Sequence, residues 1–258
     1  MTWRKILPNL VTTGAMLAAF FSIIHSAHGE YAMAAKLIML CLILDGLDGN
    51  LARWLGGTSQ FGAELDTFVD ITAYGLAPAM LIHESVAKHF GTWGLLLVGW
   101  TVLSGALRLS RFRVADPDRG NKGFTGLPIT ANATWVAMLT FIVHSDLIND
   151  PHVSLIEGPM AILAWSFSGV MLFLQISNVR YGKPSKTPVL FVGGIVMVSL
   201  LFMRQEAALA AAFAMCAYVF FYAFVTPFLP KHHEAIVGDD DDADELEDEE
   251  EDITFDHS

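Results

Sequence analysis

The chain has 258 residues, of which 53% are hydrophobic and only 16% charged, where a soluble domain carries about a quarter charged residues. That balance excludes an ordinary soluble globule, and repeated apolar runs near 20 residues long read as membrane-spanning helices. The net charge of −12 belongs to one end: residues 231–258 hold 14 of the 27 acids and one of the 15 bases, leaving a nearly neutral body of 13 acids and 14 bases.

In chain order, residues 2–8 form an interfacial lead-in, with Trp3 at headgroup level and Arg4 and Lys5 in the aqueous layer. No convincing small-residue cleavage site follows that would make it a removable leader. Span 1 is expected from Leu10 to His28 and span 2 from Tyr31 to Leu55, with a Gly56-Gly57-Thr58 turn before span 3, Phe61 to Ser85. Span 4 covers Trp93 to Leu109 and leads into a basic loop, RLSRFRVADPDRGNKGFTGLP. Spans 5 and 6 are expected at Pro128 to His144 and Pro159 to Ser177, span 7 at Pro188 to Met203 and span 8 at Ala207 to Phe228. This makes an all-α integral membrane protein with a catalytic membrane domain at 1–230 and an acidic, solvated tail at 231–258.

With eight spans both termini share a side, and that side receives every lysine and arginine except Lys36, Lys88 and Arg204. The positive-inside rule then puts the termini at the cytoplasmic face of the cell membrane. Cys41 and Cys216 fall inside apolar segments and read as packed thiols. The histidines near span ends read as interfacial, and Trp93, Trp100, Trp135 and Trp165 as belt or packing residues.

One stretch breaks the apolar pattern. Residues 45–70, DGLDGNLARWLGGTSQFGAELDTFVD, place four aspartates and an arginine at membrane depth, where ionisable side chains are costly and mark function. If span 2 stays helical, Asp45, Asp48, Gly49, Ala52 and Arg53 fall within an arc of roughly 140°. Asp45 and Asp48 are i,i+3 neighbours, and Asp66 and Asp70 are i,i+4 neighbours on the next span. Four carboxylates facing one another in a low dielectric repel strongly, so cations must neutralise them. All-oxygen ligands favour Mg²⁺ or Mn²⁺ over zinc, and this many carboxylates suit two ions clamping a displacement at phosphorus. Gly49 and Ala52 leave room on the aspartate face, and Arg53 offers a fork suited to phosphate oxygens.

The pattern Asp45-x-x-Asp48-Gly49-x-x-Ala52-Arg53, eight residues, Gly62-x-x-x-Asp66-x-x-x-Asp70 resembles the signature of the CDP-alcohol phosphotransferase family at every position. The resemblance implies a six-helix core, here followed by two further helices, often dimeric, with its site open to the cytoplasm. It implies that Asp45, Asp48, Asp66 and Asp70 bind metal and that Asp70 is also the general base. It further implies that Gly49, Arg53 and Ser59 contact the CDP part of the donor, with Ala52 and Gly62 in the same donor-binding set. Pro8-Asn9, Thr12-Thr13, RLSRFRV and FTGLP are similar to the phosphatidylserine synthase branch. That likeness implies transfer of a phosphatidyl group from CDP-diacylglycerol to L-serine, with no nucleic-acid partner and a homodimer among membrane lipids. Arg108, Arg111 and Arg113 are then candidates for holding the serine carboxylate.

Sister enzymes using glycerol phosphate, inositol phosphate or an ether-linked archaeal donor remain open on sequence. From another class, a divalent-cation transporter would need further acids deep in spans 4 to 8, which have almost none. An intramembrane prenyltransferase would hold its aspartate clusters farther apart.

Overall fold

The computed structural model describes residues 3–115, 124–148, 154–181, 194–195, 198–199 and 201–228. Among these, helices run as α1 (Trp3–Ala27), α2 (Tyr31–Trp54), α3 (Gln60–Asp70), α4 (Ala77–Ser85), α5 (Gly91–Ala115), α6 (Ile129–Val143), α7 (Pro159–Ile176) and α8 (Gln205–Phe224). They coincide with spans 1 to 6 and 8. Span 7 lies mostly outside the described residues, as do the loop at 116–123 and the acidic tail with its proposed domain boundary.

Four helical stretches among the described residues are long and apolar enough to cross a bilayer: Trp3–Ala27, Gln60–Ser85, Ala87–Arg111 and Gln205–Phe228. Helix α2 is as long but carries Lys36, Asp45, Asp48 and Arg53. Helices α6 and α7 are apolar and shorter. Outward-facing Phe20, Phe21, Leu96, Phe173, Phe213 and Phe221 are exposed, an arrangement unfavourable in water and natural against lipid tails. The chain is a multi-pass membrane protein whose described residues are mostly helical.

Helices α1 and α2 form a tight antiparallel hairpin. Gly29, at φ 80°, makes the turn, and the Glu30 N–H donates to the His25 carbonyl at 2.9 Å. Buried Ala18 and Ala19 on α1 pack in one cluster with Ala34 and Ala35 on α2, since small residues let backbones approach where lipid offers no hydrophobic drive. The Ser22 hydroxyl donates across the pair to the Ala34 carbonyl at 2.9 Å. The central core joins this hairpin to Tyr74, Leu81, Met138 and Phe141, and to the alanines of α8.

Three features differ from the expectation. Helix α1 begins at Trp3 and runs through Pro8. Proline cannot supply the N–H that the Arg4 carbonyl would take four residues back. Gly57 packs against that carbonyl so closely that a Cβ would overlap it. Span 3 is not one uniform α-helix: α3 passes through a wider π-helical turn at Ile71–Leu76 before α4, with the Ala77 N–H donating to the Thr72 carbonyl. Pro78 is the cause, because its ring presses on the carbonyl four residues earlier and a wider turn relieves it. Lastly, two short strands, β1 (Phe124–Thr125) and β2 (Arg180–Tyr181), pair antiparallel with Phe124 opposite Tyr181, tying the segment before α6 to the segment after α7.

Candidate active site

The turn between α2 and α3 sets the geometry. Gly56, at φ 59°, ends α2: the Gly57 N–H donates to the Ala52 carbonyl at 2.9 Å and the Gly56 N–H to the Arg53 carbonyl at 3.2 Å. This pair is a Schellman closure, which needs a residue tolerant of the left-handed conformation. Ser59 then caps α3, its hydroxyl accepting from the Gly62 N–H at 3.1 Å, as N-cap serines do. A five-residue link, 55–59, folds α3 back alongside α2 and brings their acids together.

Asp45, Asp48 and Asp66 each present a carboxylate oxygen, and these lie within 4.8 Å of one another. Asp48 is buried and accepts from the Thr12 hydroxyl of α1 at 2.5 Å. Asp70 lies just before the π-turn, in electrostatic range of Asp45, Asp48 and Asp66 and of the Arg108 guanidinium. Buried carboxylates this close have no stable arrangement as bare anions. The donor set is all oxygen, while the nearby Cys41 thiol is turned away to the Ala15 carbonyl at 3.3 Å. Hard divalent ions fit such a set; soft ones do not.

Asp48 and Asp66 open onto a cavity of about 360 Å³ that Gly49, Ala52, Arg53, Ser59 and Gly62 also line. The Arg53 guanidinium donates to Asn50 Oδ1 at 3.0 Å. Gly62 serves a close approach: a Cβ there would stand 2.8 Å from Asn9 Oδ1 and 3.2 Å from Ser59 Oγ. Pro8, Asn9 and Thr12 supply a third wall from α1. Sequence reasoning assigned that wall no role; its only trace was the Pro8-Asn9 and Thr12-Thr13 pattern, noted as a likeness.

The three arginines of α5 part company. Arg108 is buried at 7% exposure and interacts with Asp70 and Tyr222. The Arg111 fork is taken up by the chain: Nη1 donates to the Ile176 carbonyl at 3.3 Å and to Asn178 Oδ1 at 3.1 Å. Its Nη2 donates to the Thr125 carbonyl at 3.2 Å and the Ser177 carbonyl at 2.8 Å. Arg113 donates to the Ala63 carbonyl at 3.2 Å and pairs with Glu64, pinning α5 to α3.

A family model described as CDP-alcohol phosphatidyltransferase matches residues 5–172. The chain is 33% identical to the CDP-diacylglycerol–serine O-phosphatidyltransferase of Helicobacter pylori over 80% of its own length and 85% of that protein. It is 36% identical to the enzyme of the same name from Methanocaldococcus jannaschii, over 58% of the chain and 65% of that protein. It is also 38% identical to an archaetidylserine synthase of Methanothermobacter thermautotrophicus, over 51% and 56%. With most of the chain covered and six of the eight fixed positions lining one cavity, this protein belongs to the CDP-alcohol phosphatidyltransferase family.

Proposed function

We propose that the protein moves the phosphatidyl group of CDP-diacylglycerol to L-serine, giving phosphatidylserine and CMP. The observation that carries this reading is the meeting of three carboxylates within 4.8 Å at the wall of a cavity whose other groups suit a pyrophosphate. The name borne by a relative that matches 80% of the chain supports serine as acceptor.

Asp45, Asp48, Asp66 and Asp70 would hold Mg²⁺ or Mn²⁺, two ions in this reading. When bound there, such ions offset the charge of the pyrophosphate and of the departing CMP. Arg53 binds phosphate oxygens beside them, and Gly49, Ala52 and Gly62 keep the floor low enough for the nucleotide to enter. Asp70 accepts the serine hydroxyl proton as the oxygen forms its bond to the lipid-bearing phosphorus and the bond to the CMP oxygen breaks. A carboxylate is a weak base for an alcohol, yet the proton needs to leave only as the new bond forms. Alignment of the hydroxyl in line with the leaving oxygen supplies much of the remaining acceleration. Of the α5 arginines, Arg108 suits the serine carboxylate; Arg111 and Arg113 hold α5 in place.

The opening faces the cytoplasm in this reading, by the lysine and arginine bias, and the working unit is a homodimer in the cell membrane. A cation path is disfavoured, because helices α6 and α7 carry no ionisable side chain. The archaetidylserine synthase likeness makes an ether-linked donor worth including in the assay. Purified protein with CDP-diacylglycerol, Mn²⁺ or Mg²⁺ and a panel of acceptors tests the proposal. CMP release is expected with serine and not with glycerol phosphate or inositol phosphate; the reverse pattern removes the serine assignment.

A further inference from the structure

Among the described residues, five buried polar atoms lack a hydrogen-bond partner: Tyr74 Oη, Arg108 Nε, Asn132 Oδ1, and Gln175 Nε2 and Oε1. Buried polar groups are nearly always bonded, and a membrane interior offers no water to excuse an exception. Tyr74 follows Asp70 by one turn and lies in electrostatic range of Asp45 and Asp70, so it belongs to the acid site. The others sit on α5, α6 and α7, where a different set of groups converges.

Gly105 marks the meeting point. A Cβ there would stand 3.5 Å from Gln175 Nε2 on α7 and 2.7 Å from Ile129 Cδ1 on α6. Arg108 is one turn from Gly105 on α5, and Asn132 is one turn from Ile129 on α6. Gln175 is fully buried and Asn132 is 2% exposed. Ile129 and Ala133, which flank Asn132, pack in the same cluster as Tyr74. Gln175 therefore lies about one helical turn from Arg108 along α5, with Asn132 one turn from the Ile129 that meets the same glycine, and Arg108 is in electrostatic range of Asp70.

The chemistry of the three residues is complementary to a free amino acid. A guanidinium binds a carboxylate, and two amide oxygens accept from an ammonium. Neutral amides suit this place better than carboxylates, which would compete with the substrate for Arg108 and add to the repulsion among the acids. We propose that Gln175 and Asn132 are specificity-determining residues of the acceptor subsite. Their carbonyl oxygens accept from the serine ammonium while Arg108 holds the carboxylate, so that the hydroxyl points to Asp70. This inference rests on the serine reading above and assigns two residues to it that no signature position contains.

The test compares full-length wild type with Gln175→Met and Asn132→Leu, each close in shape to the residue it replaces, using CDP-diacylglycerol and Mn²⁺. Acceptors are serine and 3-hydroxypropionate, which keeps the carboxylate and hydroxyl but lacks the ammonium. Each variant is expected to raise the serine KM about tenfold while leaving the donor KM within about twofold. The kcat/KM preference for serine over 3-hydroxypropionate is expected to fall by a similar factor, because the lost bonds are those made to the ammonium. A preference equal to that of wild type overturns the proposal and leaves the amides as packing groups. Should Gln175→Met fail to fold, Asn132→Ser on a different helix reads the same ratio. A wild type that releases CMP with other acceptors but not with serine overturns the parent reading, and this inference with it; unchanged variants of a serine-active wild type overturn the inference alone.

Discussion

Two polar regions interrupt the apolar bundle, and they are held in opposite ways. On α2 and α3 the acids are like groups, three of them within 4.8 Å, and together they cannot all stay charged without a counter-charge. Between α5, α6 and α7 the polar groups are one guanidinium and two neutral amides with bonding capacity left over. In the proposed reading the first region draws a cation and the second receives a small dipolar molecule. Like charges must be forced together by covalent proximity, so the first sits on two helices joined by a short turn. Neutral amides repel nothing and can be drawn from helices far apart in sequence.

The largest expected effect comes from removing one acid. Asp66→Asn is expected to cut CMP release by about 10³-fold, near 4 kcal/mol of transition-state stabilisation, and activity within tenfold of wild type would mean the acids are not the reaction centre. Metal binding should also show as stability. At a Mn²⁺ concentration of about 100 Kd the wild type should gain roughly 2.7 kcal/mol, seen as a raised Tm that a chelator abolishes. Asp66→Asn should lose most of that gain; an equal shift in both proteins would place the ion elsewhere.

Arg111→Ala probes the boundary between the regions. Its fork joins the end of α5 to the carbonyls of Ile176, Ser177 and Thr125, so a loss of about 2 kcal/mol in stability is expected. Serine and donor KM should then move together; a rise confined to serine would return Arg111 to the acceptor side. The smallest effect is expected from Thr12→Val. It deletes the hydroxyl bonded to Asp48 at 2.5 Å and should weaken Mn²⁺ affinity about tenfold, as read by titration, with little change in folding.

The acid region was legible because its logic is local. Asp45, Asp48, Gly49, Ala52 and Arg53 share a helix face by spacing alone, and Gly56-Gly57 announced the turn that returns the chain. Ser59 was legible only through family likeness, and the structure gives it a second task as the cap of α3. The π-turn after Asp70 was missed although Pro78 signalled it, since span length and hydropathy do not register one wider turn. Arg108, Arg111 and Arg113 read alike in sequence as basic residues at a span end. Their separation into a buried group, a clamp on carbonyls and an ion pair depends on which neighbours each meets.

By itself the sequence determined the membrane class, most of the helical segments and the placement of the acids, because these follow from hydropathy, helical periodicity and short chain separation. Only the tertiary structure decided that α1 walls the cavity beside the acids, that Arg111 bonds backbone carbonyls, and that Gln175 of α7 and Ile129 of α6 meet at Gly105 of α5. Those contacts join residues distant in the chain, where no periodicity operates and only the packing of one helix against another brings them together.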